Sequence, residues 1–157
     1  MKDWGEVSEN FEKISGDAFE KELNNESEAQ TRFDVIDRII REILQWKHGQ
    51  ISVEPHSKGD NKNGFVDYIL TANGVKIIIE AKKVGAAFPS PTKRKKLKLT
   101  GTILGKGEIS EALNQAEEYA LNEDADLVMV TNGDCWCFYP LEKEKNKELI
   151  YATLLFP

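Results

Sequence analysis

Val75-Lys76-Ile77-Ile78-Ile79-Glu80-Ala81-Lys82-Lys83 opens as an apolar, β-branched run and closes on a carboxylate and two ammonium groups. The apolar part reads as a strand buried in a sheet. Charge is costly to bury unless it is paired or bound to a metal. A buried strand that ends in Glu-x-Lys therefore raises the question of what Glu80 and Lys82 serve.

The stretch just upstream supplies a partner strand. Gly64-Phe65-Val66-Asp67-Tyr68-Ile69-Leu70-Thr71-Ala72 is followed by Asn73-Gly74. Asn-Gly between two strand-like runs is a strong hairpin signal, because a type I′ turn needs positive φ at both central residues. With those two residues as the loop, Ala72 faces Val75 and Asp67 faces Glu80. Facing residues have Cβ atoms about 4.5–5.5 Å apart, and Lys82, two positions beyond Glu80, shares its face. The register gathers Asp67, Glu80 and Lys82 into one cluster. Two carboxylates opposed in this way destabilise a sheet, and a divalent cation between them reverses the sign. Mg²⁺ takes one or two carboxylates and keeps several waters. The plainer alternative is a hairpin edge on which Asp67 and Glu80 each pair with a neighbouring lysine. A longer loop would shift the register.

At 157 residues the chain is the size of one domain with a real core. Its 40% hydrophobic and 31% charged residues describe a soluble globular protein. No run is long enough to cross a bilayer, so no membrane partner is expected. The polar, acidic start (Met1-Lys2-Asp3-Trp4-Gly5-Glu6) does not read as a signal peptide, and a cytoplasmic location is expected. Cys135 and Cys137 share one strand face, with no second pair to complete a zinc ribbon or thioredoxin motif; they read as packed, reduced thiols. His48 and His56 read as surface or loop residues.

The net charge of −6 is unevenly spread. Residues 76–106 hold nine Lys or Arg against the single acid Glu80, a local +8 that leaves −14 for the remainder. A basic block beside a carboxylate cluster can grip a phosphate backbone, although a run such as Lys93-Arg94-Lys95-Lys96-Leu97-Lys98 is more commonly a solvated loop.

The rest of the chain frames this cluster. Residues 1–25 form an acidic segment with a short amphipathic helix over 8–23. Residues 26–157 form the main domain. A helical period runs over 27–46, with Phe33, Ile36, Ile40, Ile43 and Leu44 as the buried stripe and Ile39 at its edge. Asn25 or Ser27 is its N-cap. Glu28 and Arg32 lie four apart on its flank, as a salt bridge or as groups reaching over the sheet. Residues 51–54 read as a strand, 55–63 as a loop of turn formers, and 84–107 as a long, mobile, basic loop. Gly101-Thr102-Ile103-Leu104-Gly105-Lys106-Gly107 lacks the spacing and the hydroxyl of a phosphate loop. Helix 108–122 turns Ile109, Leu113, Ala116 and Ala120 inward and sets Gln115 beside Tyr119. Strand 126–131, a turn at Asn132-Gly133, a return strand over 134–139 and a last strand over 149–156 complete the pattern. The order helix, three strands, helix, two or three strands gives an α/β fold, a mixed sheet flanked by helices, with αβββαβ as its core.

In this order the motifs resemble the PD-(D/E)xK nuclease core, and more narrowly the N-terminal nuclease domain of type I restriction enzyme R subunits. Glu28-x-x-Thr31-Arg32 opens a helix ending Leu44-Gln45-Trp46. Val66-Asp67-Tyr68-x-Leu70 precedes Ile79-Glu80-Ala81-Lys82. Gln115-x-x-x-Tyr119-Ala120 follows on a helix, and Val130-Thr131-Asn132-Gly133 leads to Trp136-x-Phe138-Tyr139. The resemblance covers roughly 26–140. It implies a restriction-endonuclease-like fold and Mg²⁺-dependent (or Mn²⁺-dependent) hydrolysis of DNA phosphodiesters, in restriction, defence or repair. It implies that Asp67, Glu80 and the Ala81 carbonyl bind the metal, that Lys82 positions or activates the water, and that Glu28 touches the metal or its waters. Gln115 and Tyr119 would support the site and the DNA backbone, and Lys83, Lys93, Arg94, Lys95, Lys96 and Lys98 would hold the strand. Helicase motor domains, which follow this domain in R subunits, are not in the chain. A homodimer, further subunits or a larger parent protein would fit. The alternatives are a nucleic-acid-binding or partner-binding module of the same fold without its own catalysis, and a nucleotide-binding α/β domain, which the missing glycine fingerprint disfavours.

Overall fold

The computed structural model describes residues 4–24, 26–58, 63–88, 96–98, 107–141 and 148–153. Helix α1 (Trp4–Leu23) is followed by α2, which occupies 28–43. Strands β1 (Ile51–Val53), β2 (His56–Lys58), β3 (Asn63–Phe65), β4 (Tyr68–Ala72), β5 (Val75–Ala81) and β6 (Lys96–Lys98) come next. Helix α3 (Glu108–Asn122) leads into β7 (Leu127–Thr131), β8 (Cys135–Pro140) and β9 (Glu148–Thr153). The protein is α/β. Five strands, β1-β4-β5-β7-β8, form the core of a mixed sheet, which β9 and β6 extend in that order.

The hairpin that decides the fold has the expected register. Ala72 pairs with Val75 and Tyr68 with Ile79. Asn73 (φ 53°) and Gly74 (φ 80°) are both left-handed, as a I′ turn requires. Strand β5 then pairs in parallel with β7, Ile77 opposite Leu127 and Glu80 opposite Val130, with α3 in the crossover. This puts β5 in the middle of the sheet, covered on both faces.

One face meets α3. Ile78, Val128, Val130, Cys137 and Tyr139 pack there against Ile109, Ala112, Leu113, Ala116 and Ala120. The other face, with Tyr68, Leu70, Ile79, Ala81 and Trp136, packs against Val35, Ile36, Ile39 and Ile40 of α2. The acidic segment expected over 1–25 lays Ile14 and Ala18 on that same cluster, and Asp17 pairs with Arg38 of α2. Cys135 and Cys137 are buried thiols outside any disulfide, their sulfurs 3.6 Å apart.

Several expectations are corrected. The α2 stripe is not the one that ideal periodicity gives: Phe33 is 69% and Leu44 49% exposed, while Val35 and Ile39 are buried. After one α-turn (Glu28–Thr31) the helix runs through π-helical segments at Arg32–Ile36 and Ile39–Ile43. Its hydrogen bonds there run from i to i+5, as from Leu44 N–H to Ile39 O (2.9 Å). The wider turns rotate the buried face away from the 3.6-residue rule. Ser27 is the N-cap, its Oγ accepting from Gln30 N–H at 3.1 Å.

The run 55–63 is not simply a loop. Val53 pairs with Tyr68, Glu54 N–H donates to Asp67 O (3.0 Å), Val66 N–H donates to Pro55 O (3.2 Å), and His56 pairs with Phe65. One antiparallel register continues from the sheet into a two-stranded arm, β2–β3. The arm is interrupted where Glu54 adopts a left-handed φ of 49° beside Pro55. Opposite that bend the expected strand over 64–72 breaks at Val66 and Asp67. The supposed loop 84–107 likewise contains β6, which pairs with β9 (Leu97 opposite Leu149); the alternation Lys96-Leu97-Lys98 suits a strand. Lys93, Arg94 and Lys95, and the end of the last strand beyond 153, lie outside the described residues.

The turn after β7 shows how closely the site is packed. Gly133 has φ 87°, and a Cβ there would sit 3.1 Å from Val35 Cγ1 and 3.5 Å from Thr31 Cγ2. Gly16, in α1, has nothing within 4 Å of a Cβ position. Gly133→Ala should therefore cost about 1–3 kcal/mol in urea unfolding, whereas Gly16→Ala should add roughly 0.5–1 kcal/mol. Equal effects of the two substitutions would show that the β7–β8 turn does not press on α2.

Candidate active site

Three elements converge at the C-terminal end of β5. Strand β5 delivers Glu80, and Lys82 follows just beyond, its backbone N–H held by Thr131 O of β7 at 2.7 Å. The broken strand before β4 delivers Asp67. The first turns of α2 deliver Glu28 and Arg32. Thr31 ties this helix end to the site, its Oγ1 donating to Ser27 O (3.1 Å) and accepting from Val84 N–H (3.0 Å).

Asp67 leaves the β4 ladder, which ends at the Tyr68–Ile79 pair, but remains beside Glu80. Its Oδ2 accepts from Ala81 N–H at 2.7 Å and its Oδ1 from Arg32 Nη1 at 2.9 Å. Arg32 Nη1 also reaches Glu54 Oε1 at 2.9 Å, and its guanidinium lies 5.3 Å from the centre of the Tyr68 ring. Glu80 Oε1 accepts from Lys82 Nζ at 2.8 Å, and Lys82 Nζ lies 3.8 Å from Glu28 Oε2. The salt bridge considered between Glu28 and Arg32 is replaced by two crossed pairs, Glu28 with Lys82 and Arg32 with Asp67.

Glu80 is the unusual member. It is 2% exposed, and among the described residues its Oε2 is buried without a hydrogen-bond partner. Burial first, and then the Asp67 carboxylate, push its pKa up to about 7, against the pull of Lys82. Burial also raises Asp67, outweighing the Ala81 N–H and Arg32. Burial works against the Lys82 ammonium, but the Glu80 carboxylate outweighs it and Lys82 is raised. An orphaned carboxylate oxygen beside a second carboxylate suits a hard divalent cation. Around it, Glu28, Glu54, Asp67 and Glu80 face Arg32 and Lys82, an excess of two negative charges when all are ionised. Among the described residues no three His, Cys, Asp or Glu side chains are grouped as a ready metal cage; the site offers two close carboxylates and the chain at Ala81.

The expected residues divide. Glu28, Asp67, Glu80, Ala81 and Lys82 come together, with Lys83 next in the chain. Gln115 and Tyr119 lie on α3, and no hydrogen bond joins them to Asp67, Glu80 or Lys82 among the described residues. Lys96 and Lys98 lie on β6 at the far edge of the sheet, four strand spacings from β5, or about 19 Å. They are not neighbours of the carboxylates. Arg32 and Glu54 were not among the expected site residues. The four-residue spacing of Glu28 and Arg32 hinted at the first, and nothing in the sequence marks the second. No family model, curated protein or solved structure matches the chain, and no described helix is long and apolar enough to cross a membrane.

The buried carboxyl makes the metal-free protein sensitive to pH. Its ordinary value is 4.5 and its folded value about 7, so between these limits the folded state binds more protons than the unfolded one. Stability must then fall as pH rises from about 4.5 through 7 and level off above, by on the order of 3 kcal/mol. In EDTA, Glu80→Gln should flatten this slope and melt higher than wild type at pH 8. Parallel melting curves for the two proteins between pH 5 and 8 would mean that Glu80 is not a strained acid.

Proposed function

We propose that the chain is a metal-dependent deoxyribonuclease of the PD-(D/E)xK kind, hydrolysing DNA phosphodiesters. The observation that carries this reading is Glu80: a carboxylate buried at the end of a central strand, beside Asp67, with one oxygen on Lys82 and the other unpartnered among the described residues. A purely structural carboxylate in that position would have both oxygens satisfied. The ordered motifs that resemble PD-(D/E)xK nucleases support the same reading.

Asp67, Glu80 and the Ala81 carbonyl would hold the cation. A divalent ion so held lowers the pKa of a bound water and neutralises charge on the phosphoryl oxygens. The chain's own groups do the remainder. Lys82 Nζ, 2.8 Å from Glu80 and 3.8 Å from Glu28, would donate to the attacking water or to a phosphate oxygen. Ala81 N–H and Arg32 fix both oxygens of Asp67, which sets its direction before any ligand arrives. Glu28, more exposed than Glu80, reaches the same lysine from the solvent side.

Incubating plasmid, linear duplex and single-stranded DNA with Mg²⁺, Mn²⁺ or EDTA tests the proposal. Wild type should cut only with metal, and Asp67→Ala and Glu80→Ala should abolish cutting. Lys82→Ala should slow it by about 10²–10⁴-fold. Mg²⁺ should also raise the melting temperature of wild type at pH 8 and leave Glu80→Gln unmoved. Salt-sensitive DNA binding without cleavage would favour a binding module of the same fold. Cleavage that survives in Glu80→Ala would place the chemistry elsewhere.

A further inference from the structure

The β2–β3 arm springs from the site itself. Val66 and Asp67 join β3 to β4, and Glu54 and Pro55 join β1 to β2. Val66 turns inward and is fully buried, whereas the preceding Phe65 is 62% exposed. Exposure alone does not single it out, since Phe33 is 69% exposed; Phe65 differs in pairing across the arm with an aromatic neighbour. The ring is also held in place. His56, its cross-strand partner, meets it edge to face, with centroids 5.3 Å apart and planes at 89°. In either sense of a T-shaped pair, at least one face of the Phe65 ring is left uncovered by the histidine. Only Val66 separates Phe65 from Asp67, so their Cα atoms are at most about 7 Å apart. The arm also leans toward the α3 side, where β2 comes within 8 Å of that helix between Cα atoms.

We propose that Phe65, braced by His56, is a stacking platform for an unpaired nucleobase of the DNA strand whose phosphate lies at Asp67 and Glu80. The inference rests on the nuclease reading and adds a substrate class to it: single strands, or duplex ends and mismatches where a base is free of its partner. The chemistry favours a base over an apolar peptide side chain. The platform is a flat ring rather than a groove, and it is one short step along the chain from carboxylates suited to a phosphate-bridging cation. Stacking is tolerant of sequence, because every base has a π-face. The arm would select for strandedness, not for a recognition sequence.

Binding of a fluorescein-labelled 12-nucleotide single strand to the full chain in EDTA, where no cutting occurs, provides the test, with the same strand carrying a central abasic tract as control. Phe65→Ala should bind the base-containing strand on the order of tenfold more weakly. It should bind the abasic strand as wild type does, and Phe65→Tyr should restore binding. In Mg²⁺, Phe65→Ala should raise the KM for single strands without a matching loss of kcat. Unchanged binding of both strands, or equal weakening on both, would overturn the platform while leaving metal-dependent cleavage intact. A wild type that neither binds nor cuts DNA would overturn the platform and the nuclease reading together.

Discussion

A carboxylate at the end of a covered central strand is the constraint on which the rest depends. Glu80 sits between β4 and β7, with α3 on one face and α2 on the other, where an unpaired charge costs several kcal/mol. The surrounding chain answers that cost locally. Lys82 folds back onto Glu80, Glu28 supports Lys82 from the helix, and Arg32 takes the charge of the neighbouring Asp67. The compensation is incomplete, since one oxygen of Glu80 has no donor among the described residues. Incomplete satisfaction at the centre of an otherwise well-packed sheet is where a fold gives up stability for function.

The crossed ion pairs explain why α2 starts where it does. Ser27 caps the helix, Thr31 binds the backbone just after Lys83, and Arg32 reaches over Tyr68 to Asp67. The first two turns of α2 therefore serve as a bracket for the site, while its later turns, with Ile36, Ile39 and Ile40, serve the core. The π-helical geometry beginning at Arg32 reconciles the two tasks: it rotates the lower helix so that Val35 and Ile39 meet the sheet while Glu28 and Arg32 remain over its end. π-segments of this kind are frequent at functional sites.

Much of this was legible in the sequence because it is local. Asn73-Gly74 specifies a tight turn, the turn specifies a register, and the register brings Asp67 to Glu80 without knowledge of any other element. The α3 face was legible for the same reason, since Ile109, Leu113, Ala116 and Ala120 follow a regular helical period. What the sequence did not disclose depends on tertiary geometry. Phe33 and Leu44 fit an ideal stripe and are exposed, because hydrogen bonds in α2 skip an extra residue. Glu54 joins the site only through the bend that continues β1 into the arm. The basic run looked like one loop near the carboxylates. Its Lys96–Lys98 part pairs with β9 on the opposite edge, a partner chosen by strand order and not by any local signal.

The parallel pairing of β5 with β7 carries a consequence for the order in which the protein assembles. The β4–β5 hairpin needs only neighbouring residues, so Asp67 and Glu80 meet early. The wall that buries Glu80 arrives from Val130 and Thr131, some fifty residues later in the chain, and such distant contacts form slowly. Until then Glu80 is an ordinary solvated acid on a free hairpin. The chemical character of the site thus depends on a strand fifty residues away, and a chain still lacking β7 would hold both carboxylates without the environment that sets them apart.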